Sequence, residues 1–196
     1  MENFPVDYID KETGEKKVAW ISRSIAVSGI VFCKDLDDDW CILANKRGKG
    51  TPDFQRYWNC VCGYLDYDEN ANQAMNREIY EETGLDIPSR RFIPYFVNSN
   101  PKENRQNVTI RFYCILKSDI TEWCNFSKEK MEKDEVSDIK WIKVKDINNY
   151  QWAFNHNELI NYTYNTFVNI SWWKRVIINW YNTHIIRQLV ESLYKK

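Results

Sequence analysis

Apolar positions follow strand spacing in the first third of the chain, switch to helical spacing over 71–83, and then return to strand spacing. Residues 17–33 carry Ile25, Val27, Ile30, Val31 and Phe32 in a dense run that predicts strands. An acidic turn, Asp35–Asp39, leads to a returning strand over Trp40–Ala44. A basic, glycine-bearing loop follows at 46–50, then a strand at Trp58–Cys62. Arg91–Val97, Val108–Leu116 and Val136–Val144 read as further strands, and Trp152–His156 opens a late helix. Strands arranged around a mid-chain helix predict an α/β fold, a mixed sheet covered by helices.

The helix over 71–83 carries its own boundaries. Asn70 is a capping residue, and Gln73 stands where the partner of a capping box belongs. Gly84 supplies the left-handed stop. Ala71, Ala74, Met75 and Ile79 form its apolar stripe. Glu78 and Glu82 continue that stripe, with Glu81 on its flank. Carboxylates on an inward face are costly unless compensated. Arg77 can pair with one of them, and the remaining charge calls for a cation. Oxygen ligands without His or Cys favour Mg²⁺, with Mn²⁺ as a substitute. The alternative is a solvated, charged helix face.

Net charge is −1, so no global attraction to nucleic acid or to an anionic membrane is expected. At 196 residues, one domain with a sizeable core is the expectation. No apolar run reaches about 18 residues, so no membrane-spanning helix is expected. Met1–Gly14 is polar and acidic, without the pattern of a secretory leader. Six cysteines in that context read as reduced thiols and predict a cytoplasmic protein. Cys60 and Cys62 share a strand face but lack zinc spacing.

Residues 63–85 read GYLDYDENANQAMNREIYEETGL. This matches the Nudix box, Gly-x5-Glu-x7-Arg-Glu-apolar-x-Glu-Glu-x-Gly-apolar, at every fixed position. A chance match is well under about one in a million at average residue frequencies. The chain thus resembles the Nudix hydrolase family, which implies an α/β/α sandwich over 1–168 and leaves 169–196 as a helical C-terminal extension. The resemblance implies a hydrolase that opens the phosphoanhydride of a nucleoside diphosphate linked to another moiety and releases a nucleoside monophosphate. It assigns Glu78, Glu81 and Glu82 to binding metal or positioning water, and Arg77 to orienting those acids. By the same resemblance, Glu69 would anchor the network and Gly63 would let the loop approach the metal. Glu135, before the last strand, is a metal ligand or base by the same resemblance, or a surface acid in the charged run 128–135.

Arg47 in the basic loop is a phosphate contact or an exposed hairpin tip, and Arg111 and Arg105 are weaker candidates of the same kind. Pro101, sixteen residues beyond Leu85, and the segment from Trp152 to His156 resemble features of ADP-ribose-type members. His156 itself reads as a structural residue at a helix start. The box opens with Cys60-Val61-Cys62-Gly63 where many members have an apolar-Pro-Gly-Gly run, which weakens any transfer of substrate. A small nucleotide is the expected partner, and nucleic acid is not. The alternatives are a Nudix-fold nucleotide sensor and a pyrophosphohydrolase of RNA 5′ ends. In the tail, Trp173, Val176, Ile177 and Trp180 recur at helical spacing, which predicts packing on the domain, a homodimer contact, or a membrane-surface helix.

Overall fold

The computed structural model describes residues 4–126 and 134–170. Nine strands and two α-helices follow in the order β1 (Phe4–Ile9), β2 (Lys16–Ile21), β3 (Ser24–Lys34), β4 (Trp40–Arg47), β5 (Trp58–Asn59), β6 (Val61–Tyr64), α1 (Ala71–Thr83), β7 (Ile93–Asn98), β8 (Asn107–Asp119), β9 (Val136–Lys143) and α2 (His156–Thr163). A π-helical turn, Tyr164–Val168, extends α2. The expected extension lies outside the described residues from 171 onward.

Seven strands form one mixed sheet, ordered β5-β4-β3-β8-β7, with β6 also paired to β3 and β9 to β4. Strand β3 is its centre. One edge of β3 pairs in parallel with β8. The other edge is shared, by β6 opposite Ala26–Gly29 and by β4 opposite Phe32–Lys34. A strand enclosed on both edges and both faces needs apolar residues at nearly every position. The run from Ala26 to Cys33 is accordingly buried throughout.

Alternation along the strands then sorts two cores. Val27, Val31, Leu43, Phe112 and Cys114 face α1, where Ala74, Met75 and Ile79 meet them. Ile30, Phe32, Ile42, Ala44 and Tyr113 face α2, where Leu159 and Ile160 meet them. Full burial of Met75 or Ile79 is worth about 1.5–3 kcal/mol each. Gly29 lets α1 come close, because a Cβ there would stand 2.6 Å from the Met75 sulfur. This is the expected sandwich, with one helix on each side of the sheet.

Several element boundaries differ from the sequence pattern, each for a physical reason. Lys46 and Arg47 belong to β4 rather than to a loop, since β9 pairs with this end of the strand and β5 pairs with Asn45 and Lys46. The single strand expected over 58–62 is two, broken at Cys60, whose backbone N–H donates to Nδ1 of His156 at 3.0 Å. The strand expected from Arg91 begins at Ile93, because Ser89–Arg91 form a 3₁₀ turn after Pro88. The late helix starts only at His156. The polar opening segment contains a strand, β1, which pairs with β2 in a separate two-stranded sheet. Its turn is closed by Asp10, whose carboxylate accepts from the backbones of Glu12 and Thr13.

Candidate active site on the helix of residues 71–83

Helix α1 is fixed at both ends by its own sequence. Asn70 accepts from the backbones of Asn72 and Gln73, and Gln73 accepts from the Asn70 backbone. Gly84 adopts a φ of 76° and donates to the Tyr80 carbonyl at 2.8 Å. These contacts set the rotation of the helix, and therefore where its acids point.

Arg77 joins the helix to the loop that precedes it. Its Nη2 donates to the Tyr64 carbonyl at 2.8 Å and to Glu69 at 2.6 Å, and its Nε donates to the other Glu69 oxygen at 3.0 Å. Nη1 donates to Glu78 and to Glu81, both at 2.8 Å. One guanidinium therefore holds three carboxylates in a fork-like grip.

Glu78 packs against Gly63, where a Cβ would land on the carboxylate itself. A side chain at this position is sterically impossible without moving the acid. Glu82 accepts from the Asn45 side-chain amide on β4 and from the Cys62 backbone. Burial pushes the Glu78 carboxyl up from its usual 4.5 to about 7, against the pull of Arg77. Burial also raises Glu82 well above the ordinary range, and the charges of Glu78 and Glu135 add to that rise. Glu69 moves the other way, held low by its bonds to Arg77.

Glu135 reaches the same place from a distant part of the chain. Gly48 and Gly50 donate backbone bonds to Glu135 and Asp134 at 2.6 and 2.7 Å. A Cβ on either glycine would collide with the backbone of 134–135. The loop after β4 and the turn before β9 are thus pressed together, with Glu135 exposed at the rim and its charge felt by Glu82.

The arginines lie differently from one another. Arg47 is not an open hairpin tip. Its guanidinium donates to the Asp53 carbonyl at 3.0 Å and to the Asp53 carboxylate at 2.6 Å, and it lies 5.0 Å from the Phe154 ring centre. Arg111 falls on the α2 face of β8 by alternation with Tyr113, over Phe96. That is the face opposite α1. Arg105 is exposed in the loop before β8. His156 is buried, and burial holds it down at about 3, so it is neutral and acts as an acceptor that organises the strand break.

Asn45 was missed by sequence reasoning. It is 2% exposed and contacts Glu82 directly. The available signal was an amide in the interior of the strand WCILANKR, where Asn is disfavoured.

A hard divalent cation fits this donor set. The acids are oxygen ligands, two are pushed toward protonation by burial, and Glu82 has neutral donors but no bonded cation among the described residues. A concavity of about 490 Å³ lies at the other end of β3, lined by Lys34, Asp35 and Trp40 among others, and contains none of these acids.

A model of the NUDIX domain family matches residues 23–162. The chain belongs to this family. Solved structures agree on the fold. The NUDIX domain of Shewanella oneidensis NrtR, complexed with ADP ribose, is 22% identical, with a TM-score of 0.56 over 72% of this chain and 86% of that one. A MutT/nudix family protein from Enterococcus faecalis is 19% identical, with a TM-score of 0.59 over 75% of this chain and 62% of that one. A bifunctional NMN adenylyltransferase/ADP ribose pyrophosphatase from Francisella tularensis, complexed with AMP and a Mn ion, is 21% identical, with a TM-score of 0.58 over 74% and 42%. The chain thus spans less than two thirds of the last two proteins. No curated protein matches it. As a Nudix protein with the complete acid set, it is a pyrophosphohydrolase by class. Among the described residues, no helix is long and apolar enough to cross a membrane.

Proposed function

We propose that this chain hydrolyses the phosphoanhydride of a nucleoside diphosphate linked to another moiety, with ADP-ribose or a sugar nucleotide favoured, using Mg²⁺ or Mn²⁺. The observation that carries the reading is the pair of half-buried acids, Glu78 and Glu82, raised in proton affinity one helical turn apart, with Arg77 gripping Glu78 and Glu81. A resident divalent cation supplies neutralisation of phosphate charge and activation of water. Glu78, Glu81 and Glu82 would hold it, with Gly63 leaving the room. Arg77 orients Glu78 and Glu81, and Asn45 orients Glu82. A carboxylate outside the cation's ligands would accept the proton of the attacking water, and Glu135 at the rim is the candidate.

Support for the substrate class comes from two neighbours, one complexed with ADP ribose and one described as an ADP ribose pyrophosphatase. The test is a panel of ADP-ribose, sugar nucleotides, dinucleoside polyphosphates and nucleoside triphosphates, run with Mg²⁺, with Mn²⁺ and with chelator. Release of nucleoside monophosphate that vanishes in Glu82→Gln is expected. Activity unaffected by chelator would refute the reading.

A second reading is a nucleotide sensor. It is favoured by a specific neighbour: Shewanella oneidensis NrtR is also found complexed with a 27mer DNA, at 21% identity and a TM-score of 0.54. Tight ADP-ribose binding without turnover at saturating Mg²⁺ would select it. Action on RNA 5′ ends finds less support, because the guanidinium of Arg47 is already committed to Asp53 and Phe154. We place the chain in the cytoplasm on its six free thiols.

A further inference from the structure

We propose that Arg111 marks a site for an oxyanion, a carboxylate or a phosphate, carried by the moiety that is joined to the nucleoside diphosphate. The inference rests on the reading of the α1 acids as facing the anhydride. Within that reading it favours substrates whose far end is acidic.

Among the described residues, Arg23, Arg47, Arg77 and Arg111 are the half-buried arginines. Arg23 donates to the carbonyls of Ser99, Asn104 and Asn107. Arg47 is held by Asp53, and Arg77 by Glu69, Glu78 and Glu81. Arg111 differs. Among the described residues, no carboxylate or carbonyl accepts from its guanidinium, which lies 5.7 Å from the Phe96 ring centre. Glu103 feels its charge, but the Glu103 oxygens accept from Asn98 and Asn100 at 2.8 and 2.9 Å. Cys60, Tyr95 and His156 also lie in its field, and all three are neutral near pH 7. A guanidinium that has lost much of its water and gained no acceptor is costly to hold.

The sheet sets this charge in a row that starts at the acids. Arg111 pairs with Phe96 of β7 on one side and with Ser28 of β3 on the other. Ser28 pairs in turn with Cys62 of β6. Directly paired residues share a face, so Phe96, Arg111, Ser28 and Cys62 line up across four strands. Ser28 is 4% exposed, and its hydroxyl has no partner. Buried hydroxyls are nearly always bonded, so the row lacks an acceptor at two adjacent positions. At its Cys62 end the row meets Glu82, which accepts from the Cys62 backbone. Glu82 can do so because β6 and β4 part from each other along β3, and it bonds to both strands.

Strand order then decides which part of a substrate Arg111 can meet. Strand β8 stands two strand spacings from β6, about 10 Å from backbone to backbone. The guanidinium lies on the β7 side of β8, away from Glu82. An anhydride held at Glu82 therefore presents to Arg111 the group attached to its phosphates. A guanidinium forks onto two oxygens of a carboxylate or a phosphate. ADP-ribose carries only hydroxyls beyond its anhydride and would leave that fork half used.

The test uses the full chain with Mg²⁺ and three probes that differ at carbon 6 of the sugar: glucose 1-phosphate, glucuronic acid 1-phosphate and glucose 1,6-bisphosphate. Calorimetry gives the affinities. Wild type is expected to prefer an acidic probe over glucose 1-phosphate by about 10- to 100-fold. Which acidic probe is preferred tells a carboxylate from a phosphate. Arg111→Met keeps a stem against Phe96 and should bring the ratio to about one. Arg111→Lys keeps the charge without the fork and should leave about 2- to 5-fold. If the methionine variant does not fold, the lysine variant decides. No binding of any probe, no preference in wild type, or the wild-type preference in either variant overturns the site. If the preference follows Arg111 but neither UDP-glucose, UDP-glucuronic acid nor any anhydride of the panel is cleaved, the site stands and the hydrolase reading fails. If UDP-glucose and UDP-glucuronic acid are cleaved with equal kcat/KM and no probe is preferred, the reverse holds.

Discussion

Two trios of acids sit at different places on this sheet, and their chemistry runs in opposite directions. Asp35, Asp37 and Asp39, on the turn between β3 and β4, have carboxylate oxygens within 4.8 Å of one another. The acids of α1 do not form such a set. By proximity alone the turn would be the metal site. Yet Lys143 already stands among the turn acids, 2.6 Å from Asp35, 3.3 Å from Asp37 and 2.9 Å from Asp39, and Lys145 adds a bond of 2.5 Å to Asp39. Bonds to those lysines hold Asp35 and Asp39 below their usual range. On α1 burial dominates, and Glu78 and Glu82 are pushed up. Density of acids does not separate a site from a charged turn. What separates them is the balance of countercharge and desolvation: bonds to lysine prevail at the turn, whereas at Glu78 desolvation prevails over Arg77, and Glu82 bonds no cation among the described residues.

The two trios should differ most under charge removal. Glu82→Gln keeps the shape and removes the charge. The cleavage rate with the best substrate of the panel should fall by about 10²–10⁴-fold. Asp37→Asn in the turn should leave it within about twofold. Steady-state kinetics on the two variants side by side decides the matter, and equal losses would remove the distinction.

Close contact supplies the next test. Gly63→Ala places a methyl on the Glu78 carboxylate. Affinity for Mn²⁺, followed by electron paramagnetic resonance, should weaken by about 10–100-fold. Stability should drop by about 1–3 kcal/mol, the usual cost of overpacking. Retention of wild-type Mn²⁺ affinity would show that Glu78 does not need its present position.

Acidity also distinguishes the trios, with opposite signs. Glu78 in the folded chain has a raised pKa, so the folded state binds more protons than the unfolded state between about 4.5 and about 7. Its contribution to stability is complete below 4.5 and is lost as pH rises through about 7. Asp35 and Asp39 are lowered, so their contribution is present above the usual carboxylate range and is lost as pH falls. Without divalent cation, melting temperature should decline from pH 5 to 7.5, and Glu78→Gln should flatten that decline. Mg²⁺ at 100 times its Kd for pH 7.5 should restore about 2.7 kcal/mol there, and the same concentration should restore less at pH 5. A wild-type profile with no slope in this window would contradict the raised carboxyl.

Much of this was legible in the chain, and the rest was hidden for identifiable reasons. The helix boundaries follow from Asn70, Gln73 and Gly84, because caps act through local backbone bonds that the sequence states outright. The grip of Arg77 on Glu78 and Glu81 is legible too, being one residue and one helical turn away. Asn45 was not, since its partner Glu82 is 37 residues off and only the sheet brings them together. The strand break at Cys60 depends on His156, 96 residues away. Arg47 looked like a free loop cation, because nothing local announces that the strand continues or that Asp53 folds back onto the guanidinium. Positions set by neighbours in sequence were readable, whereas positions set by register were not.

The smallest effect is expected at Lys143, in the turn. Lys143→Met leaves the turn acids with Lys145 alone, on Asp39, as the helix acids have Arg77 alone, and it leaves Asp37 open to water. Asp37 is 80% exposed at its side chain, so solvent takes over much of what the ammonium did. Activity should be unchanged, and melting temperature should fall slightly at low ionic strength and recover near 1 M salt, where the Debye length is about 3 Å. Mg²⁺ should stabilise the variant no more than it stabilises wild type, because Lys145 still pairs with Asp39 and the exposed Asp37 surrenders little by remaining hydrated. If Mg²⁺ instead stabilised this variant by an additional amount comparable to the effect at α1, then missing countercharge alone would make a site. Burial beside Gly63 and Asn45 would then lose its place as the feature that sets the helix acids apart.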